Sequence, residues 1–88
     1  MMIYKTCPGI ILTSIGEQEY LVTEKNRIQL NDTAAFYWKH LTEGADINKL
    51  KEAVMCEYDL EDSEELEQEI QGLIQELLKG QLIQEITK

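Results

Sequence analysis

The 88-residue chain has one proline, one histidine, five glycines, two cysteines and no long apolar run. Each shortage removes a class of function. So little proline and glycine argues against a disordered or low-complexity chain, and a hydrophobic fraction of 43% is that of an ordinary globular domain. No stretch approaches the roughly 20 apolar residues of a membrane span. Residues Met1 to Thr6 hold one lysine and no apolar h-region, so a secretory signal is not expected. The expected compartment is cytoplasmic, with no membrane partner. Cys7 and Cys56 stand far apart, outside any CxxC or Cys/His cluster, and read as free thiols rather than a disulfide or a metal site.

His40, the single histidine, leaves no Ser/His/Asp or Cys/His set to assemble except through itself. It has no Cys or Asp partners at metal-ligand spacing, and the scattered glycines form no phosphate-binding loop. Carboxylates abound, but acid–base work needs them in a cleft with shifted pKa values, and here an exposed helix face is the expected setting. The chain is therefore read as not an enzyme, with no catalytic residues, no metal and no cofactor.

The most informative shortage is of positive charge. Net charge is −9, and residues 52–78 contain no Lys or Arg against ten Asp and Glu, whereas residues 1–51 balance six against six. The acidic half repels a phosphate backbone, so no nucleic-acid partner is expected. It is a solvated face that keeps a small protein soluble, and it would also attract a basic partner segment.

What is present has a clear order. Ile10–Thr13 and Tyr20–Thr23 are β-branched or aliphatic runs. Gly16 between them marks a hairpin turn. Arg27-Ile28-Gln29-Leu30 alternates, with Ile28 and Leu30 on one face and Arg27 and Gln29 on the other. Ile3 and Tyr4 suggest a further extended piece, ended by Pro8. Three helices follow. Asn31 or Asp32 caps the first, which carries Ala34, Ala35, Trp38 and Leu41 at helical spacing and ends near Gly44. Asp46 caps the second, with Ile47, Leu50 and Val54 on one face. Asp62 or Ser63 opens the third, with Asp62 and Glu65 at capping-box spacing. Its stripe is Leu66, Ile70, Leu73 and Leu77, widened by Ile74 and Leu78, and Gly80 stops it. Leu82, Ile83 and Ile86 are expected to pack back on the core. The fold class is α+β, a three-stranded antiparallel sheet followed by three helices, in a single domain over residues 1–88.

Two features carry functional promise. The outer strand of a three-stranded sheet leaves backbone groups unpaired. Arg27–Leu30 has no proline and one charge, so it can accept an extended peptide as a fourth strand, or pair with a second copy to give a homodimer. Proline at Ile28 is expected to abolish binding of such a peptide, since it removes a donor from the strand. Gly72 lies in the middle of the third helix, where glycine costs about 1 kcal/mol relative to alanine; close approach of another chain is one reason to tolerate it.

Leu30-Asn31-Asp32-Thr33-Ala34-Ala35, followed by Trp38, Leu41 and Gly44, resembles the "LN-x-TA…W-x-x-L-x-x-G" signature of the PQQ-synthesis protein D family, the archetype of the RiPP recognition element. The resemblance extends through Ile47, Leu50 and Tyr58 to Ile70, Leu73, Leu77, Leu82 and Ile83, and covers roughly Gly9 to Ile83. Glu69 stands where the family often has Asp, and Gln81 where it often has Gly. The resemblance implies a winged helix-turn-helix-like fold and a stand-alone protein that holds the leader of a ribosomal precursor peptide. It further implies presentation of that leader to a modifying enzyme of the same pathway, such as a leader peptidase, cyclase or radical enzyme. It implies that the leader adds as a strand beside the third strand, against the third helix. By position, Lys25, Asn26, Arg27, Ile28 and Gln29 form one wall of the leader site, and Glu67, Ile70, Gln71 and Ile74 the other. The peptide product, a lasso peptide or another class, is left open. Two other readings compete: a winged-helix DNA-binding regulator, for which the acidic third helix lacks a basic stripe, and a self-associating structural module using the same sheet edge.

Overall fold

The computed structural model describes residues 2–87. Its elements are β1 (Met2–Thr6), β2 (Ile11–Ile15), β3 (Gln18–Val22), β4 (Arg27–Leu30), α1 (Asp32–Leu41), α2 (Ile47–Tyr58), α3 (Glu64–Lys79) and β5 (Ile83–Thr87). The three-stranded antiparallel sheet followed by three helices is present as read, in the order β2-β3-β4. The chain ends add to it: β1 and β5 pair antiparallel, Met2 opposite Thr87 and Thr6 opposite Ile83. The extended piece at Ile3 and Tyr4 and the segment holding Ile83 and Ile86 thus form a ribbon. Reciprocal Tyr4–Ala45 main-chain bonds of 2.9 Å stitch it to the segment before α2.

Local chemistry sets the boundaries. The β2–β3 hairpin turns on Gly16 and Glu17, with Gly16 at φ +64, a conformation glycine adopts without steric cost. Asn31 is the cap of α1; its Oδ1 accepts from the Ala34 amide at 2.7 Å. Asp46 caps α2 in the same way through Lys49. At α3 the cap is Ser63, whose Oγ accepts from Leu66 at 3.2 Å. Asp62 instead pairs with Lys51 at 2.6 Å, so the capping-box reading does not hold. The end of α3 differs in one instructive place. Leu82 donates to the Leu77 carbonyl and Gln81 to that of Leu78, which is the Schellman arrangement. The left-handed residue in it is Gln81, at φ +60, not Gly80.

The core lies between the inner face of the sheet and the helices. Leu21, Leu41, Leu50, Ile70, Ile74 and Val54 are sealed, with Tyr37 and Trp38 the largest buried side chains. Tyr4, Leu82 and Ile83 join this one cluster from the terminal ribbon. Leu21 alone reaches full burial from the middle strand, because β3 is flanked on both sides. Ile28, Leu30, Leu73 and Leu78 pack against the cluster but stay partly open. That incomplete cover positions the site.

Candidate functional site: an open strand edge over an apolar trough

Among the described residues, β4 pairs only with β3. The phase of that ladder says which amides are spare. The Thr23 amide donates to the Asn26 carbonyl at 2.9 Å, so this pair is a hydrogen-bonded one. Antiparallel pairs alternate in type. Leu21–Ile28 and Glu19–Leu30 therefore bond to each other, while in Val22–Arg27 and Tyr20–Gln29 the main-chain groups point away from the partner strand. The free edge of β4 thus offers the N–H and C=O of Arg27 and of Gln29. The amide of Ile28 faces β3, so the expectation that proline there would strip a donor from the outer edge is corrected.

The side chains divide the other way. Ile28 and Leu30 point inward, over a trough whose far wall is α3. It is lined by Ile28, Leu30, Leu73, Glu76, Leu77, Gly80 and Leu82. The trough continues past Ile28 to the Glu24-Lys25-Asn26 turn, where Pro8, Gly9 and Ile10 close it. In the other direction it runs past Asn31 and Ala34 to Tyr37, Glu69 and Glu76. Arg27 and Gln29 turn their side chains to the outer face. The Arg27 guanidinium stands 5.9 Å from the centre of the Tyr20 ring, and the Gln29 amide donates to the Gln18 side chain.

The residues named from the sequence fall into two sets. Lys25, Asn26, Arg27, Ile28 and Gln29 do lie together along the turn and the open strand. The four on the third helix do not face them. Ile70 and Ile74 are buried in the core at 0% and 1% exposure, Gln71 is exposed, and Glu67 borders a different hollow with Met2, Tyr4 and Ile47. The wall is instead Glu69, Leu73, Glu76, Leu77 and Gly80, rotated by roughly a third of a turn at 3.6 residues per turn. Burial explains the difference in placement. The most apolar stripe of α3 is consumed by the core, and the trough takes the shoulder beside it. The available signal was stripe width: Leu73 lies at the edge of the apolar face, packed against the core but only partly buried, with Glu69 and Glu76 beside it.

The electrostatics of the trough are one-sided. Glu69 and Glu76 border it, and neither is ion-paired among the described residues. Tyr37 forms its inner end, 1% exposed. Its hydroxyl is the one buried side-chain polar atom with no hydrogen-bond partner among the described residues. Burial first, then the negative charge of Glu69 and the neighbouring Tyr58, push its pKa up to about 12. Elsewhere, His40 packs its ring on Phe36 with centroids 4.7 Å apart. Cys7 is half-buried, Cys56 exposed, and both are free. Among the described residues, no group of three or more His, Cys, Asp or Glu side chains is placed to hold a metal ion, and no helix is long and apolar enough to cross a membrane.

A spare strand edge beside an apolar trough, on a small α+β frame, is the apparatus of a peptide-recognition domain. Comparison with protein families matches residues 19–83 to Coenzyme PQQ synthesis protein D (PqqD), and the chain belongs to that family. Its members are precursor-peptide-binding domains of RiPP biosynthesis that work beside modifying enzymes and are not themselves catalytic. The match includes both walls of the trough and leaves β1 and β2 outside it. No curated protein and no solved structure matches the chain.

Proposed function

We propose that this protein is a non-catalytic carrier of a precursor-peptide leader, which it takes up as a fourth strand on β4 and presents to a modifying enzyme or leader peptidase. The observation that carries this reading is the phase of the β3–β4 ladder, which leaves the main-chain groups of Arg27 and Gln29 free directly above an apolar trough. An extended guest would exchange main-chain bonds with those two residues. Its alternate side chains would drop onto Ile28, Leu30, Leu73 and Leu77. Holding the leader raises the effective concentration of the attached core peptide at the enzyme. Because a disordered leader is ordered on binding, affinity is modest for the area covered.

The acidic surface of α2 and α3 supports a peptide partner over a nucleic acid. The same edge could instead pair with a second copy of the chain. Calorimetric titration with a candidate precursor peptide carrying its leader, combined with light scattering, tests both. Leader capture predicts a one-to-one complex that loses its heat of binding when the leader is truncated. A concentration-dependent homodimer that ignores the peptide would refute it.

A further inference from the structure

The inner end of the trough has a chemistry that its apolar middle lacks. Asn31, Thr33 and Ala34 of the β4–α1 junction meet Glu69, Leu73 and Glu76 of α3 there, with Tyr37 behind them. Glu69 and Glu76 sit seven residues apart on one face, about 10 Å along the axis, with Leu73 between them. Two unpaired carboxylates at the rim of a concave site attract a cation more strongly than either would alone. The Tyr37 hydroxyl is a second, independent indication. A buried hydroxyl without a partner is disfavoured by about 1–3 kcal/mol, so such a group marks a place where a partner is missing. As a neutral phenol it is free to accept a bond from an N–H while donating toward a carboxylate.

Resting on the strand-capture reading, we propose that this inner end receives one lysine or arginine side chain of the guest peptide. The head group lies between Glu69 and Glu76 with the Tyr37 hydroxyl as a neutral acceptor, and the alkyl stem lies on Ala34 and Leu73. The pattern suits a long cation in particular. A short polar side chain would leave the apolar stem positions uncovered, and an acidic one would meet two like charges. Of the neighbouring cations, Lys51 is paired with Asp62, and Lys79 shares a hollow with Glu76, Gln75 and Leu78 but makes no ion pair with Glu76 among the described residues. The basic residue therefore sits at one fixed position of the guest, beyond the stretch that pairs with Arg27 and Gln29.

The test is a selection of binders from a random dodecapeptide display library on the immobilised full chain, repeated with the double variant E69Q/E76Q and with Tyr37→Phe. For the wild type, the expected result is enrichment of extended peptides carrying Lys or Arg at one register position. Replacing that residue by norleucine should weaken binding by about tenfold, the loss of one charge-assisted contact. In E69Q/E76Q the preference should fall to near unity while apolar positions of the peptides stay enriched, and in Tyr37→Phe it should fall part of the way. Circular dichroism checks that each variant is folded. Peptides recovered without a basic position, or a basic preference unchanged in E69Q/E76Q, would overturn the subsite and leave strand capture standing. A preference lost in E69Q/E76Q but intact in Tyr37→Phe would remove the hydroxyl from the proposal. Recovery of no peptide at all would overturn the capture reading together with the subsite.

Discussion

A proline scan of β4 separates the two edges of one strand. At Gln29 the main-chain amide points to the open side, and proline is tolerated on an edge strand where its missing N–H would face outward. Gln29→Pro should therefore leave the β3–β4 ladder in place, apart from the exposed side-chain bond to Gln18, which a Gln29→Ala control isolates. What it removes is one donor to the guest. The cost is about 1 kcal/mol if the orphaned guest carbonyl finds water and about 3 kcal/mol if it stays dry, or roughly five- to a hundredfold in Kd at 1.4 kcal/mol per decade. Ile28→Pro does the opposite. It deletes a ladder bond to Leu21 and a partly buried side chain, for about 2–4 kcal/mol of folding stability. For a chain this size, whose whole margin is about 4–13 kcal/mol, that is a large share. Calorimetric titration with the leader measures the first quantity in each variant, and urea unfolding followed by circular dichroism the second. The expected pattern is Gln29→Pro folded and weak in binding, Ile28→Pro destabilised. If Gln29→Pro binds the leader as tightly as Gln29→Ala, the guest does not hydrogen-bond to this edge and strand addition is wrong.

Other outcomes follow from single residues. At Gly72 an added Cβ meets nothing within 4 Å, so Gly72→Ala should raise stability by about 1 kcal/mol; a fall in leader affinity in the same variant would show that the guest approaches there. Gln81 holds φ +60 at the end of α3, where a side chain is disfavoured by about 1 kcal/mol. Gln81→Gly should raise the thermal midpoint, less the entropy that glycine adds to the unfolded chain, and a drop would contradict the strain. Tyr37 has a folded-state pKa raised from 10.0 to about 12. The unfolded state loses this proton first, so stability is unaffected below pH 10 and declines as pH rises from 10 through about 12. Subtracting the urea midpoints of Tyr37→Phe from those of the wild type across that window should isolate the decline; parallel curves would mean the phenol is not perturbed.

The parts of the fold that were readable from sequence are those where one local pattern dominates. The alternation at Ile28 and Leu30, the turn glycine at position 16 and the caps Asn31 and Asp46 each act within a few residues. The terminal ribbon was only suggested, because pairing Tyr4 with Glu85 depends on contacts across the whole chain. The β4 wall of the site was readable for the same reason as the strand. The α3 wall was not, since apolar periodicity finds the face of a helix that is most buried, and a binding trough uses the face that is only half so. Ile70 and Ile74 are fully buried in the core, whereas Leu73 of the same apolar stripe is only partly buried and lines the trough. Gln81 departs from the glycine that the family resemblance places there, and its left-handed backbone is a conformation that suits glycine.

The ribbon that joins Met2 to Thr87 has an engineering consequence. Two strand ends held opposite each other can be bridged by a short hairpin loop, and fresh ends opened at the exposed Gly16-Glu17 turn, remote from α3 in sequence. Such a rewired chain keeps every contact of the trough while moving its attachment points to the far end of the sheet. The domain could then be spliced into a surface loop of an unrelated enzyme as a removable substrate handle.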